Sequence, residues 1–170
     1  MATAKPIDAI GMLMQDHREV EEMFKKFEEL GDRAKVSKKR IADQICEALT
    51  MHTMLEEEIF YPAVREAGKE FEDLIDEAVV EHASAKDLIS QIQTGDPEDE
   101  LFDAKVKVLQ EQIEHHVKEE EKEMFPKVRK SALNLQSLGD EMQARKEMDS
   151  ADAGIMPAPG DQAGRPGSRV

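Results

Sequence analysis

Two stretches decide the reading of this chain: HTMLEEEIFYPAVRE, from His52 to Glu66, and HHVKEEEKEMFPKVRK, from His115 to Lys130. Laid with His116 on His52, they agree at His52/His116, Glu56/Glu120, Glu57/Glu121, Pro62/Pro126, Val64/Val128 and Arg65/Arg129. Both carry H-x-x-x-E-E and then a proline ten residues after the histidine. On a helix, residues four apart share a face, so each histidine and the first glutamate after it can reach one common point. The repeat is wider than this pair, because Asp16-His17 near the N-terminus resembles Glu81-His82. The chain reads as two helical hairpins about an approximate two-fold axis, from a duplication or from selection for one site built by both halves.

Outward from these stretches, apolar residues recur at helical spacing in four blocks. Block one carries Ile10, Leu13, Met14, Val20, Phe24 and Phe27 and stops at Gly31. Block two starts near Ser37, read as an N-cap, and carries Ile41, Ile45, Leu49, Leu55 and Ile59 before Gly68. Block three runs from Phe71 to Ile92 and closes at Gly95. Block four opens on Asp96-Pro97-Glu98, read as a cap with proline at the first helical position, and continues through Phe102, Val106, Leu109, Ile113, Val117 and Met124. Four helices of roughly 25–30 residues with short connections predict an all-α, up-down-up-down four-helix bundle over residues 1–130. Pro62 and Pro126 predict a local break late in helices two and four. A short amphipathic helix is expected over 131–148, and a disordered Gly- and Pro-rich tail over 149–170.

Composition limits the partners. The net charge is −15 and 36% of residues are charged. Phosphate backbones and anionic membranes call for a basic face, so neither nucleic acid nor membrane is expected. One cysteine, Cys46, rules out an intrachain disulfide and is read as a packed residue. With no signal core and no membrane-length apolar run, the expected location is the cytoplasm. The ten methionines are read as core and boundary filler.

The histidines carry the chemistry. His17 falls on the stripe Ile10-Leu13-Val20-Phe24 and His52 on Ile45-Leu49-Glu56-Ile59. His82 falls on Ile75-Ala78-Ala85-Ile89, and His116 on Leu109-Ile113-Glu120-Met124. Each helix thus turns one histidine into the core, and two add a glutamate. A buried carboxylate costs several kcal/mol unless compensated. No lysine or arginine sits beside them on these stripes, which points to metal, with two ions favoured over one. Imidazole and carboxylate suit iron, manganese or zinc. The Glu-x-x-His pattern of ferritin-like di-iron bundles is absent, since Met14, Leu49, Val79, Gln112 and Ile113 occupy the relevant preceding positions. His115 lies about 100° from His116 on the helix, toward the flank.

The pattern H…H-x-x-x-E-E…P…H…H-x-x-x-E-E…P over about residues 8–130 resembles the hemerythrin-like, HHE cation-binding family. The resemblance implies that His17, His52, Glu56, His82, His116 and Glu120 bind two non-haem iron ions, with the glutamates bridging and an oxo or hydroxo bridge completing the pair. Oxygen carriers of that family have a second histidine where this chain has Lys86, and H-x-x-x-x-D where it has H-x-x-x-E from His116. That difference argues against reversible oxygen carriage. It leaves handling of oxygen, nitric oxide or peroxide in a stress response, with peroxide decomposition or iron storage and sensing as alternatives. Glu57, Glu121 and His115 are candidates for a further ligand or outer support. Tyr61, within reach of the centre, is read as packing near Pro62.

Overall fold

The computed structural model describes residues 6–152, and all regular structure among them is helical. Helix α1 (Ala9–Glu29) pairs with α2 (Lys35–Leu55), which runs on through a π-helical turn, Glu56–Phe60, into α3 (Tyr61–Ala67). A short 3-10 turn leads into α4 (Glu72–Gln93), which pairs with α5 (Phe102–Glu119); a second π-helical turn, Glu120–Met124, continues into α6 (Phe125–Arg129). Helix α7 (Leu135–Asp152) returns to lie on α1. The four-helix bundle expected from the periodicity is therefore present, although α1 and α4 span only 21 and 22 residues.

Local chemistry explains where the helices begin, and corrects two expected starts. Asp8 caps α1, its side chain accepting from the Gly11 backbone N–H at 2.8 Å. Helix α2 begins at Lys35 without a side-chain cap bond, so Ser37 lies inside its first turn instead of capping it. Asp96-Pro97 does not open the fourth helix. Asp96 Oδ1 accepts from the Glu98 N–H at 2.9 Å, closing an Asx turn, and α5 starts only at Phe102. Residues 149–152, expected in the tail, continue α7, while the remainder of that tail lies outside the described residues.

The break expected at each proline takes the form of a π-helical turn. Pro62 has no N–H to give to the carbonyl four residues earlier. Just before it, the Tyr61 N–H reaches back five residues to the Glu56 carbonyl. The Phe125 N–H does the same to Glu120, one residue before Pro126. The wider turn admits one extra residue and shifts which side chains face inward. Phe60 and Tyr61 are consequently both buried, although they are adjacent.

The apolar core is divided in two. Leu13, Leu55, Ala78 and Met124 belong to one cluster, and Val20, Leu49, Ala85 and Leu109 to the other. His17, His52, His82 and His116 fall between these neighbours on their helices, making a polar layer sealed by apolar packing above and below. Cys46 is buried in the second cluster, where burial pushes its thiol up to about 12, out of the reactive range. The buried cation Lys38 pairs with Asp103 at 2.7 Å.

Helix α7 docks through Leu138, Met142 and Gly139. A Cβ on Gly139 would stand 2.7 Å from the backbone nitrogen of Ala9 and 2.9 Å from the carbonyl carbon of Asp8. Backbone cannot step aside as a side chain can, so Gly139→Ala is expected to destabilise the fold by about 1–3 kcal/mol. Thermal melting checks this; an unchanged melting temperature would show that α7 is loosely seated.

Candidate metal centre

The six stripe residues converge. His17 Nε2 lies 3.2 Å from His52 Nε2, and His82 Nε2 lies 3.1 Å from His116 Nε2, giving two imidazole pairs. The carboxylates lie across them. Glu56 places Oε1 3.0 Å from His52 Nε2 and Oε2 3.0 Å from His82 Nε2. Glu120 places Oε2 3.3 Å from His17 Nε2 and Oε1 3.3 Å from His116 Nε2. Every one of the six is 5% exposed or less. They form two donor groups that share Glu56: His17, His52, Glu56 and Glu120 in one, and Glu56, His82 and His116 in the other.

A second ring of carboxylates surrounds the imidazoles and accounts for the doubled glutamates. His82 Nδ1 meets Glu57 Oε1 at 3.0 Å, and His17 Nδ1 meets Glu121 Oε1 at 3.5 Å. The acids that precede His17 and His82 reach across to the other two histidines, on the neighbouring helices: Asp16 Oδ2 is 3.0 Å from His52 Nδ1, and Glu81 Oε1 is 3.7 Å from His116 Nδ1. Glu57 and Glu121 therefore face the outer nitrogens, not the central cluster. Asp16 and Glu81 are site residues that sequence reasoning noticed only as part of the repeat.

Each outer carboxylate in turn meets a cationic or titratable partner. Arg18 donates to both oxygens of Glu121, at 2.6 and 2.7 Å, and Lys86 donates to Glu57 at 2.6 Å. Lys146 donates to Asp16 at 3.0 Å. His115, 64% exposed on its side chain, stands 4.0 Å from Glu81 and 3.1 Å from Glu119. Lys86, at the position where oxygen carriers have a histidine, thus steadies His82 through Glu57.

Tyr61 corrects the expectation that it only packs beside Pro62. The π-helical turn swings it inward, where its hydroxyl donates to Glu120 Oε1 at 2.5 Å and its ring stacks on His82, centroids 5.6 Å apart. Phe125, its repeat partner, stacks on His17 at 6.0 Å without a hydroxyl to offer. Tyr61 is thereby a polar departure from the two-fold pattern at the centre. Burial first, then Glu56 and Glu120, push its hydroxyl well above the usual phenol range, so it stays a donor.

This donor set fits a transition-metal cation. An Nδ1–H given to a carboxylate leaves the Nε2 lone pair pointing inward. Two such lone pairs 3.1–3.2 Å apart repel each other unless a proton or an ion lies between them. Glu56 Oε1 and Glu120 Oε2 are buried acceptors with no hydrogen-bond donor, both beside the His17–His52 pair. A cation there would satisfy them.

Without an ion, protons take that role. Burial opposes charge at His52, but Glu56 and Asp16 outweigh it and raise the imidazole to about 10. Burial likewise opposes charge at His116, and Glu120, Glu56 and Glu81 hold it well above its usual range. Burial pushes Glu56 up, yet His52, His116 and His82 keep it well below the usual carboxylate range. A raised imidazole contributes stability below its unfolded value of 6.5 that disappears as pH climbs through about 10. The metal-free protein should therefore weaken across that window. Metal must displace those protons, so the gain in melting temperature on adding metal should grow over the same window. Paired melts with and without metal test this; a gain independent of pH would contradict it.

Three comparisons set this geometry beside known proteins. A crystal structure of a hemerythrin HHE cation binding domain-containing protein from Mycobacterium kansasii superposes with a TM-score of 0.71 at 23% identity, covering 87% of this chain and 90% of that one, a likeness of fold. A DNA nickase from Nostoc sp. is 30% identical over 126 residues, 74% of this chain; the chain spans about a third of that relative, 35% of its length. Residues 8–128 match the hemerythrin HHE cation binding domain, and the chain belongs to that family.

Proposed function

We propose that this protein holds two non-haem iron ions, one at the His17–His52 pair and one at the His82–His116 pair, and uses them in the cytoplasm to handle a small diatomic or peroxide ligand. The observation that carries this reading is the placement of Glu56 and Glu120. Each sets one oxygen against a histidine of one pair and the other oxygen against a histidine of the other. A single central ion does not need carboxylates split in this way. Structural zinc sites are closed and cysteine-rich, whereas the one cysteine here lies in the apolar core. Iron in an imidazole and carboxylate environment supplies binding of, and electron exchange with, dioxygen, nitric oxide or peroxide.

The two halves are not equivalent. Glu56 and Glu120 give one oxygen to each pair, but all four donors at His17 and His52 lie close to one another, whereas at His82 and His116 only Glu56 and the two histidines group so closely. Tyr61 engages Glu120 Oε1, the oxygen that faces His116, and its hydroxyl stands 3.4 Å from His82 Nε2. The looser half is therefore where an added ligand is expected, beside the Tyr61 hydroxyl, whose proton Glu120 holds. The acidic surface, net −15, favours a small ligand over DNA, so the nicking activity named for the Nostoc protein is not carried over.

Elemental analysis after iron-supplemented expression tests the reading, which expects two irons per chain. No bound transition metal would overturn it. Continuous dioxygen release from added hydrogen peroxide marks an enzyme, and saturable gas binding without turnover marks a binding protein.

A further inference from the structure

The C-terminal helix lies beyond the residues that match the family, 8–128, yet one of its side chains reaches the polar layer. Of the four carboxylates behind the histidines, three meet a cationic or titratable partner from within the bundle: Glu121 from Arg18, Glu57 from Lys86 and Glu81 from His115. Asp16 takes its cation from α7, 130 residues along the chain.

We propose that α7 is a positioning element of the metal centre: Lys146 fixes the Asp16 carboxylate, and Asp16 fixes the ring of His52. Both oxygens of Asp16 are committed. Oδ2 faces His52 Nδ1 at 3.0 Å and Oδ1 accepts from Lys146 Nζ at 3.0 Å. An ammonium on one oxygen sets the direction in which the other points, and so the imidazole orientation. Asp16 is 12% exposed, too enclosed to be held by solvent alone. The same helix also grips the π-helical turn that presents Glu56, through Arg145 and Glu58 at 2.6 Å. Helix α7 thus touches α1 through Asp16 and the turn that carries Glu56 through Glu58. Its seating depends on Leu138, Gly139 and Met142, a turn or more before Lys146, so the charge can be removed without removing the dock.

This inference rests on the two-ion reading for its effect on metal, but its effect on His52 can be measured without metal. The test uses the full chain as Lys146→Met and Lys146→Arg, with imidazole nitrogen NMR of the metal-free protein and release of loaded iron(II) to a chelator. Lys146→Met should shift the His52 resonances while leaving those of His82 in place. It should release one of the two ions about tenfold faster, the lower end of what loss of an outer partner costs. Lys146→Arg should restore both. Unchanged His52 resonances in Lys146→Met, or equal shifts at all four buried histidines, would overturn the proposal. A wild type that takes up no metal would sink the two-ion reading and leave the imidazole spectra to decide this one.

Discussion

Glu56→Gln is expected to empty both halves of the centre, leaving less than one ion per chain. Glu56 is the residue common to both donor groups, and it is fully buried. Glutamine keeps the shape but removes the charge, and turns one acceptor into an N–H donor facing an imidazole Nε2. Loss of a shared anionic ligand should weaken both ions by well over the ~10–100-fold typical of outer-partner loss. The metal-free variant should also melt below metal-free wild type, because removing Glu56 leaves the buried imidazoles it holds charged with less compensation. Measured against its own metal-free melt, the variant should gain little from added metal. Elemental analysis and paired melts read both quantities, and a full metal complement in the variant would refute the shared role of Glu56.

The second large effect separates two adjacent histidines. His116 is buried, with Nε2 3.1 Å from His82 Nε2 and 3.3 Å from Glu120. His115 points outward to Glu119. His116→Ala should lose the ion of its half, since His82 is then the one histidine left there with the shared carboxylates. His115→Ala should keep wild-type stoichiometry, with at most a modest change in the hold of Glu81 on His116. Metal content of the two purified variants decides the matter; full retention in His116→Ala would contradict the assignment.

The bundle was legible because each helix keeps its 3.6-residue period over many turns, so the stripes through His17, His52, His82 and His116 could be followed by counting. The inward position of Glu56 and Glu120 came from the same counting. What could not be counted is what lies off the stripes. Asp16, Glu57, Glu81 and Glu121 sit one residue from a stripe position, and their value depends on how close the neighbouring helix comes. Tyr61 was misjudged because the π-helical turn adds a residue and changes the facing of everything after it. Asp96-Pro97 reads equally well as a helix cap or as a turn, and the Asx bond to Glu98 made it a turn. Lys146 offered no local sign at all, since its partner is set by the docking of α7.

If two ions lie side by side and share Glu56, anomalous X-ray diffraction from crystals of the iron-loaded protein, collected at the iron edge, will show both. Two peaks per chain are expected, one bounded by His17 and His52 and the other by His82 and His116, with the Glu56 carboxylate between them. A single peak, or iron found only at the surface group of Glu81, His115 and Glu119, would contradict this arrangement.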